Sequence, residues 1–259
     1  MKSIGVIGAG KMGQAIIGGL TGKEFSIRVL SRADVRIWGV TRATSYTDLS
    51  GCDAVLLCVK PNDLTEACLG LLNAIQGAGT HPLIVSVAAG KTITFLEHCL
   101  PGERVIRAMP NLAAGVRKSV TCFSKGSLAT GNDIHMCVQV FNCFGSSIQL
   151  NEEVLDAASV LSGSGPAYFF YFTQKLAEGG VAAGLNTQTA NMLARKVLEG
   201  AAGIAENSQE SMEDLIKKVA TPSGFTEAAI QTLDSAEVAT AITRAVMTAK
   251  DRCAKIGGK

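Results

Sequence analysis

Short apolar runs alternate with helical patterns through the first half of this 259-residue chain. The runs are rich in β-branched residues, bounded by turn residues, and continuously apolar rather than alternating. That pattern is typical of parallel strands covered on both faces. The predicted strands are 2–9, 26–32, 53–59, 82–88 and 104–110, with 121–125 and 146–150 as later strands. Helical stretches such as 11–20 and 62–75 separate them, which predicts an α/β domain with a doubly wound, mostly parallel sheet.

From about Asn151 the pattern changes, and no convincing strand follows. Apolar residues recur instead at helical spacing, for example Leu193, Val197, Ala201 and Ile204. We therefore predict an α/β domain over residues 1–151 and an all-α domain over residues 152–259.

The helical segment 165–184 is apolar nearly all round at its start. Such a helix must be buried on most sides, which a small helical domain hardly achieves alone, so we predict a subunit interface. A second interpretation is a central helix of a monomeric bundle. Just before it, Ser162 or Ser164 is expected to cap the helix, with Pro166 in its first turn.

Composition narrows the class of protein. The chain is 47% hydrophobic and 18% charged, and its net charge of +2 is spread without a Lys/Arg cluster, so no nucleic-acid partner is expected. No apolar run approaches a membrane span, and the first residues show no signal-peptide pattern. The eight cysteines form no C-x-x-C pair and lie among apolar neighbours, which indicates buried free thiols and a cytoplasmic protein. The three histidines are far apart in sequence, and no metal is expected.

The stretch "VIGAGKMG" joins the first predicted strand to the first helix and contains G-x-G-x-x-G. Gly8 would permit the tight turn, Gly10 would let a pyrophosphate approach the backbone, and Gly13 would let helix and strand pack closely. The helix N-terminus offers free N–H groups and positive potential to an anion. The alternative is a glycine-rich turn with no ligand. The loop residues assigned to cofactor binding are Gly8, Ala9, Gly10, Lys11, Met12 and Gly13.

The end of the second strand bears on the choice of cofactor. An acid there usually binds the ribose 2′-hydroxyl of NAD, but this chain has Ser31 and Arg32, followed by Arg36. A hydroxyl and guanidinium groups suit a 2′-phosphate, and one charge-assisted hydrogen bond is worth about 1.5–3 kcal/mol. We therefore predict NADPH as the cofactor, with NADH possible through Asp34. The alternative is that Arg32 is an ordinary surface charge.

Two further strands end at prolines. "CVKPND" places Val59, Lys60 and Pro61 at a carboxyl end, where open α/β sheets bind ligands. "RAMPN" places Asn111 at another such end. We assign these four residues to cofactor binding; the alternative is that both motifs merely stop strands.

Taken together, "GAGKMG", "VKP", "RAMPN", "LSGSGPAYFF" and "TPSGFT" closely resemble the pyrroline-5-carboxylate reductase family in order and spacing along nearly the whole chain. The resemblance implies an N-terminal Rossmann domain and a C-terminal helical dimerisation domain. It also implies dimers with interleaved helices, which in many members assemble into decamers. The implied reaction is NAD(P)H-dependent reduction of the cyclic imine 1-pyrroline-5-carboxylate to L-proline.

The resemblance also gives "TPSGFT" a role, because in the family this loop holds the substrate carboxylate on backbone N–H groups at a helix start. The implied substrate-binding residues are Thr221, Ser223, Gly224, Phe225 and Thr226. Thr226 is the implied catalytic residue, through a hydrogen bond to the ring nitrogen. The alternative is that Thr226 only caps the helix.

Three features depart from the family pattern, namely the "TPSGFT" loop, the "RAMPN" motif and the segment after the second strand. The loop usually reads Ser-Pro-Gly-Gly, a small residue, then Thr, so Ser223 must adopt a backbone angle that glycine normally takes. Phe225 adds bulk that either points into a neighbouring core or reshapes the site. "RAMPNLAA" replaces "RAMPNTPA", and the short segment after the second strand predicts a reduced crossover helix.

Three other functions are compatible with parts of the pattern. A reductase of another cyclic imine carboxylate, such as a pyrroline-2-carboxylate or a piperideine carboxylate, would use the same fold and site. A β-hydroxyacid dehydrogenase would need a catalytic lysine four residues after a glycine-rich turn, but Phe169 stands there. A non-catalytic NADPH-binding protein would bind the cofactor without turnover.

Overall fold

The computed structural model describes residues 1–33 and 38–256. They form two compact units, one from Met1–Pro166 with the chain end from Ala249, the other from Ala167–Thr248. The predicted domain border at 151/152 coincides with the start of a helix and stays a prediction.

A single mixed sheet organises the first unit. Its strands among the described residues are β1 Lys2–Ile7, β2 Phe25–Leu30, β3 Val40–Arg42, β4 Ala54–Leu57, β5 Leu83–Ser86, β6 Val105–Met109, β7 Ser119–Lys125 and β8 Gly145–Gln149. Their order is β3-β2-β1-β4-β5-β6-β7-β8. Neighbours pair in parallel except β6 and β7, which are antiparallel because only a short 3₁₀ turn over 112–116 and its flanks connect them.

In the described part of the chain four helices cover this sheet, namely α1 Lys11–Leu20, α2 Leu64–Ala78, α3 Ile93–Cys99 and α4 Gly131–Asn142. α1 and α4 pack into one apolar cluster, and α2 and α3 pack into another. Successive residues of β4 alternate between them, with Leu56 in the first cluster and Leu57 in the second. The continuous apolar runs are therefore confirmed as strands covered on both faces.

The connection between β2 and β3 is short. Its described residues, 31–33 and 38–39, are not helical, whereas a usual crossover carries a helix. The apolar runs did not predict β3, which pairs with β2 over three residues only.

Five helices follow the sheet, α5 Glu152–Ala182, α6 Thr187–Asn207, α7 Met212–Val219, α8 Phe225–Ser235 and α9 Val238–Ile256. Within 152–256 there is no strand, as predicted. No helix in the described part of the chain combines the length and apolarity needed to cross a membrane.

The expected helix start near Pro166 is wrong. α5 begins at Glu152 and runs unbroken through Ser162, Ser164 and Pro166, so neither serine caps a helix. Because a proline has no N–H, Pro166 leaves the carbonyl of Ser162, four residues earlier, without its intrahelical donor. The Asn111 side chain donates instead, with Nδ2 lying 2.9 Å from the Ser162 carbonyl oxygen.

A buried arginine joins the sheet to the same helix. Arg107 of β6 is 1% exposed and donates to Glu152 at 3.1 Å and to Asp156, both in the first turns of α5. The same Glu152 oxygen accepts from the Ile93 N–H at 2.7 Å, at the start of α3. One ion-paired network therefore fixes β6, α3 and the beginning of α5 together.

The apolar face of α5 is exposed in the single chain. Phe169, Phe170 and Tyr171 are each 58–60% exposed, although such a helix requires burial. The buried cluster of the second unit contains three alanines alone, Ala177, Ala190 and Ala194. These exposures argue against a self-contained monomeric bundle and favour the predicted subunit interface.

Candidate active site

A cleft of about 480 Å³ opens at the carboxyl ends of β1, β2 and β4. The sheet order reverses between β1 and β4, and open α/β sheets bind ligands at such a point. The cleft is lined by Ile7, Gly8, Ala9, Gly10, Leu30, Ser31, Arg32, Ala33, Tyr46, Cys58, Val59, Lys60, Asp63, Glu66 and Ala67. It thus brings together predicted residues from the glycine loop, the end of β2 and the "VKP" motif.

The three glycines of the loop differ in what requires them. Gly8 has φ +95°, and a Cβ there would lie 3.0 Å from the backbone of Cys58. A Cβ at Gly13 would lie 2.2 Å from the Gly8 carbonyl oxygen, so the predicted close packing of helix on strand is confirmed. A Cβ at Gly10 would meet no protein atom within 4 Å. Side-chain space in the protein does not explain glycine at position 10, and the predicted approach of a pyrophosphate to its backbone stays a prediction.

The start of α1 suits an anion. Gly10 is the N-cap residue, no side chain caps the helix, and its first turn contains no acid. The N–H groups of Lys11, Met12 and Gly13 therefore have no acceptor within the helix and carry the positive end of its dipole. Open space at Gly10 beside these donors fits the pyrophosphate of a dinucleotide.

A charged pair lies at the β2 end of the cleft. Arg32 contacts Glu66 at 3.2 Å, with the two side chains 81% and 70% exposed. The Ser31 hydroxyl accepts from the Ala33 N–H at 3.2 Å. Arg36, also predicted to bind the cofactor, and Asp34 lie outside the described residues.

Sequence reasoning missed Glu66 and Tyr46 as cleft residues. Glu66 lies in the first turn of α2, and Tyr46 lies in a 3₁₀ turn after β3. Neither belongs to a motif, and only the fold brings them to Arg32. No local signal in the sequence identifies them.

Cys58 lines the cleft without being a nucleophile. Burial raises the pKa of its thiol to about 12, so it is neutral at physiological pH. All eight cysteines are free thiols, and six are buried. Across the described residues, no group of three or more potential metal ligands comes together.

Five of the predicted cofactor residues that the structure describes do not line the cleft, namely Lys11, Met12, Gly13, Pro61 and Asn111. Lys11, Met12 and Gly13 form the first turn of α1. Pro61 begins a 3₁₀ turn over Pro61–Asp63. The Asn111 side chain accepts from the Ala113 N–H at 3.0 Å and donates to the Ser162 carbonyl, so both its ends are occupied within the protein. Contact of Asn111 with the cofactor stays a prediction. Its hydrogen bonds to Ser162 of α5 and to Ala113 of the 3₁₀ turn are present in the structure.

The loop of the second unit, Thr221–Thr226, turns tightly into α8. Gly224 donates to the Thr221 carbonyl at 2.9 Å and is the N-cap of α8. A Cβ at Gly224 would lie 2.8 Å from the Thr221 hydroxyl oxygen, so only glycine fits without displacement. Thr226 is the second residue of the helix, and no side chain caps α8. The alternative role of Thr226 as a helix cap is therefore wrong.

Ser223 adopts φ +61°, the left-handed conformation that its position was predicted to require. Its N–H donates to Glu227 Oε2 at 2.8 Å, so one of the loop's donors is already used by a carboxylate. The N–H groups of Phe225, Thr226 and Glu227 remain without acceptors inside the helix. Phe225 is 91% exposed and does not enter a core of this chain.

A doubly wound sheet with a phosphate-type glycine loop, an arginine at the β2 end and a free helix N-terminus defines a dinucleotide-dependent oxidoreductase. The comparisons with known proteins agree. A family model described as pyrroline-5-carboxylate reductase dimerisation matches residues 152–256, and one described as NADP oxidoreductase, coenzyme F420-dependent, matches residues 3–90.

Individual relatives match over almost their whole lengths. A pyrroline-5-carboxylate reductase of Corynebacterium melassecola is 31% identical, with 99% of both chains covered. One of Pisum sativum is 34% identical over 96% of this chain and 94% of its own. The solved structure of one from Coxiella burnetii superposes with a TM-score of 0.90 at 29% identity, with 97% of each chain covered. The chain belongs to the pyrroline-5-carboxylate reductase family.

We predict that Ser223→Gly stabilises the protein, because a non-glycine residue with positive φ costs about 1 kcal/mol. Part of that gain is lost to the greater chain entropy of glycine, which leaves a rise in Tm of about 1–3 °C. Differential scanning calorimetry measures it. The matched control is Glu237→Gly, which relieves φ +54° at the turn before α9. A fall in Tm for Ser223→Gly alone would show that the serine side chain stabilises the loop by more than its backbone strain costs.

Proposed function

We propose that the protein reduces 1-pyrroline-5-carboxylate to L-proline, with NADPH as the preferred electron donor and NADH as a second one. One observation carries the proposal: this member of the family combines a cleft that fits a dinucleotide with a helix start that fits a carboxylate. The match of curated relatives along 99% of the chain supports the same reaction.

The first unit would hold the cofactor. The N–H groups at the start of α1 receive the pyrophosphate, and Gly10 leaves room for it. Arg32 and Ser31, which line the β2 end of the cleft, receive the 2′-phosphate. The description of the family that matches residues 3–90 supports NADP in this unit. When bound, NADPH supplies the hydride that the imine carbon accepts.

The second unit would hold the substrate. The free N–H groups of Phe225 and Thr226 and the dipole of α8 attract the substrate carboxylate. The Thr226 hydroxyl orients the ring nitrogen. The nitrogen of a cyclic imine is basic enough to bind a proton from solvent before reduction, so the protein needs no strong general acid. Positioning then supplies much of the rate, which agrees with the neutral Cys58 thiol.

Self-association completes the proposal. The exposed aromatic face of α5 lies in the segment whose family model is a dimerisation domain. We propose a dimer formed through the C-terminal helices, with assembly into decamers as in many family members. The eight free thiols support a reducing, cytoplasmic location.

The direct test follows NADPH oxidation with 1-pyrroline-5-carboxylate, repeated with NADH and with the six-membered imine carboxylate. We expect the fastest turnover with the five-membered substrate and NADPH. Turnover restricted to another imine would instead assign Ser223 and the exposed Phe225 to a changed substrate specificity. NADPH binding without turnover on any imine would identify a non-catalytic protein.

We predict that Thr226→Ala lowers kcat at least tenfold, because the hydroxyl that orients the ring nitrogen is lost, while the Kd for NADPH stays the same. Steady-state kinetics and a cofactor titration measure the two quantities. Thr226→Ser keeps the hydroxyl and is the matched control, with turnover expected near that of the wild type. Equal kcat for the wild type and the alanine variant would remove Thr226 from the catalytic site.

A further inference from the structure

The ion pair between Arg32 and Glu66 occupies the part of the cleft where the second phosphate of NADPH is expected. The Arg32 guanidinium nitrogen Nη2 lies 3.3 and 3.2 Å from the two carboxylate oxygens of Glu66. Both residues line the cleft. The group expected to bind a phosphate is therefore already bonded to a carboxylate that reaches it from another element, α2.

Tyr46 forms the wall beside this pair. Its ring packs on α2 so closely that a Cβ at Gly70 would lie 2.4 Å from it. Burial raises the pKa of the Tyr46 phenol, the Glu66 carboxylate raises it further, and Arg32 lowers it. All three side chains line the same cleft.

The chemistry of this end differs from the usual arrangement. NAD-specific folds place an acid at the end of the second strand, where it accepts from the ribose 2′-hydroxyl. Residues 31–33 after β2 contain no acid and Asp34 lies outside the described residues, whereas Glu66 supplies a carboxylate to the Arg32 guanidinium at this end of the cleft.

We propose that Glu66 is a cofactor-specificity residue, an inference that rests on the proposed function. With NADH, Glu66 accepts a hydrogen bond from the ribose 2′-hydroxyl. With NADPH, it competes with the 2′-phosphate for Arg32 and repels it.

Because the ion pair between Arg32 and Glu66 is weak, Glu66 can act on either cofactor. Exposed ion pairs contribute little stability, so a 2′-phosphate can displace Glu66 from Arg32 at little cost. The remaining carboxylate still opposes the phosphate through like charge. Glu66 therefore lowers the preference for NADPH over NADH that Arg32 creates.

The test compares Glu66→Gln with the wild type in the full-length enzyme. We measure Kd for NADPH and for NADH by titration, and kcat/KM for both with 1-pyrroline-5-carboxylate. We expect the NADPH to NADH ratio of kcat/KM to rise at least fivefold, with NADPH bound more tightly and NADH more weakly. An unchanged ratio, or a shift towards NADH, would overturn the proposal.

Two further variants make the result specific. Asp63→Asn removes a negative charge from the same cleft but outside the Arg32 pair, and should raise the ratio clearly less than Glu66→Gln does. In an Arg32→Gln background, Glu66→Gln should no longer tighten NADPH through the freed guanidinium, but should still weaken NADH. If Glu66→Gln and Asp63→Asn changed the NADPH to NADH ratio of kcat/KM equally, Glu66 would act only through the general negative charge of the cleft. That result would overturn the proposal.

The outcome for the wild type separates this inference from the proposed function. A wild-type enzyme that binds neither cofactor would refute the proposed function, and the inference with it. A wild-type enzyme that turns over with NADPH while Glu66→Gln leaves the ratio unchanged would refute the inference alone.

Discussion

The missing N–H of Pro166 is the constraint on which the junction of sheet and helix depends. It leaves the Ser162 carbonyl without a donor in the interior of α5, and an unbonded carbonyl there would cost about 1–3 kcal/mol. Asn111, which follows β6, supplies the donor at 2.9 Å. Asn111 and Ser162 are 51 residues apart in the sequence. The "RAMPN" and "SGSGP" motifs therefore form one structural joint, in which the first supplies the donor and the second supplies the acceptor. Arg107, the first residue of "RAMPN" and two residues before the end of β6, braces the same helix through Glu152 and Asp156.

This joint gives the "RAMPN" and "SGSGP" motifs a structural role outside the cleft. The Asn111 amide is occupied at both ends, and the glycines and serines of "SGSGP" lie within a helix instead of forming a loop. The cleft itself depends on backbone geometry. Gly8 and Gly13 bring β1 and α1 together, while Gly10 keeps the helix start open. In our proposal, the free N–H groups at the helix start bind the pyrophosphate, and the charged side chains Arg32 and Glu66 select the cofactor.

Much of the fold could be predicted from the sequence because strands buried on both faces leave a continuous apolar run, as in β4. The left-handed conformation of Ser223 was also predictable, since the family loop carries glycine there. The start of α5 was not predictable from the sequence. Capping rules place a serine and an early proline at a helix start, but a proline is tolerated inside a helix when a distant side chain bonds the freed carbonyl. The Arg32–Glu66 pair escaped prediction for the same reason, because only the folded sheet brings residues 34 positions apart into contact.

A double-mutant cycle between Asn111→Ala and Pro166→Ala tests the joint most directly, through the free energy of unfolding at fixed protein concentration. In the wild-type background, Asn111→Ala leaves the Ser162 carbonyl unbonded and also removes the bond to the Ala113 N–H. In the Pro166→Ala background, residue 166 has an N–H for that carbonyl, so Asn111→Ala should cost at least about 1 kcal/mol less. The loss at Ala113 occurs in both backgrounds and cancels. Costs that add within about 0.5 kcal/mol would contradict the account, because they would show that Asn111 does not replace the donor that Pro166 lacks.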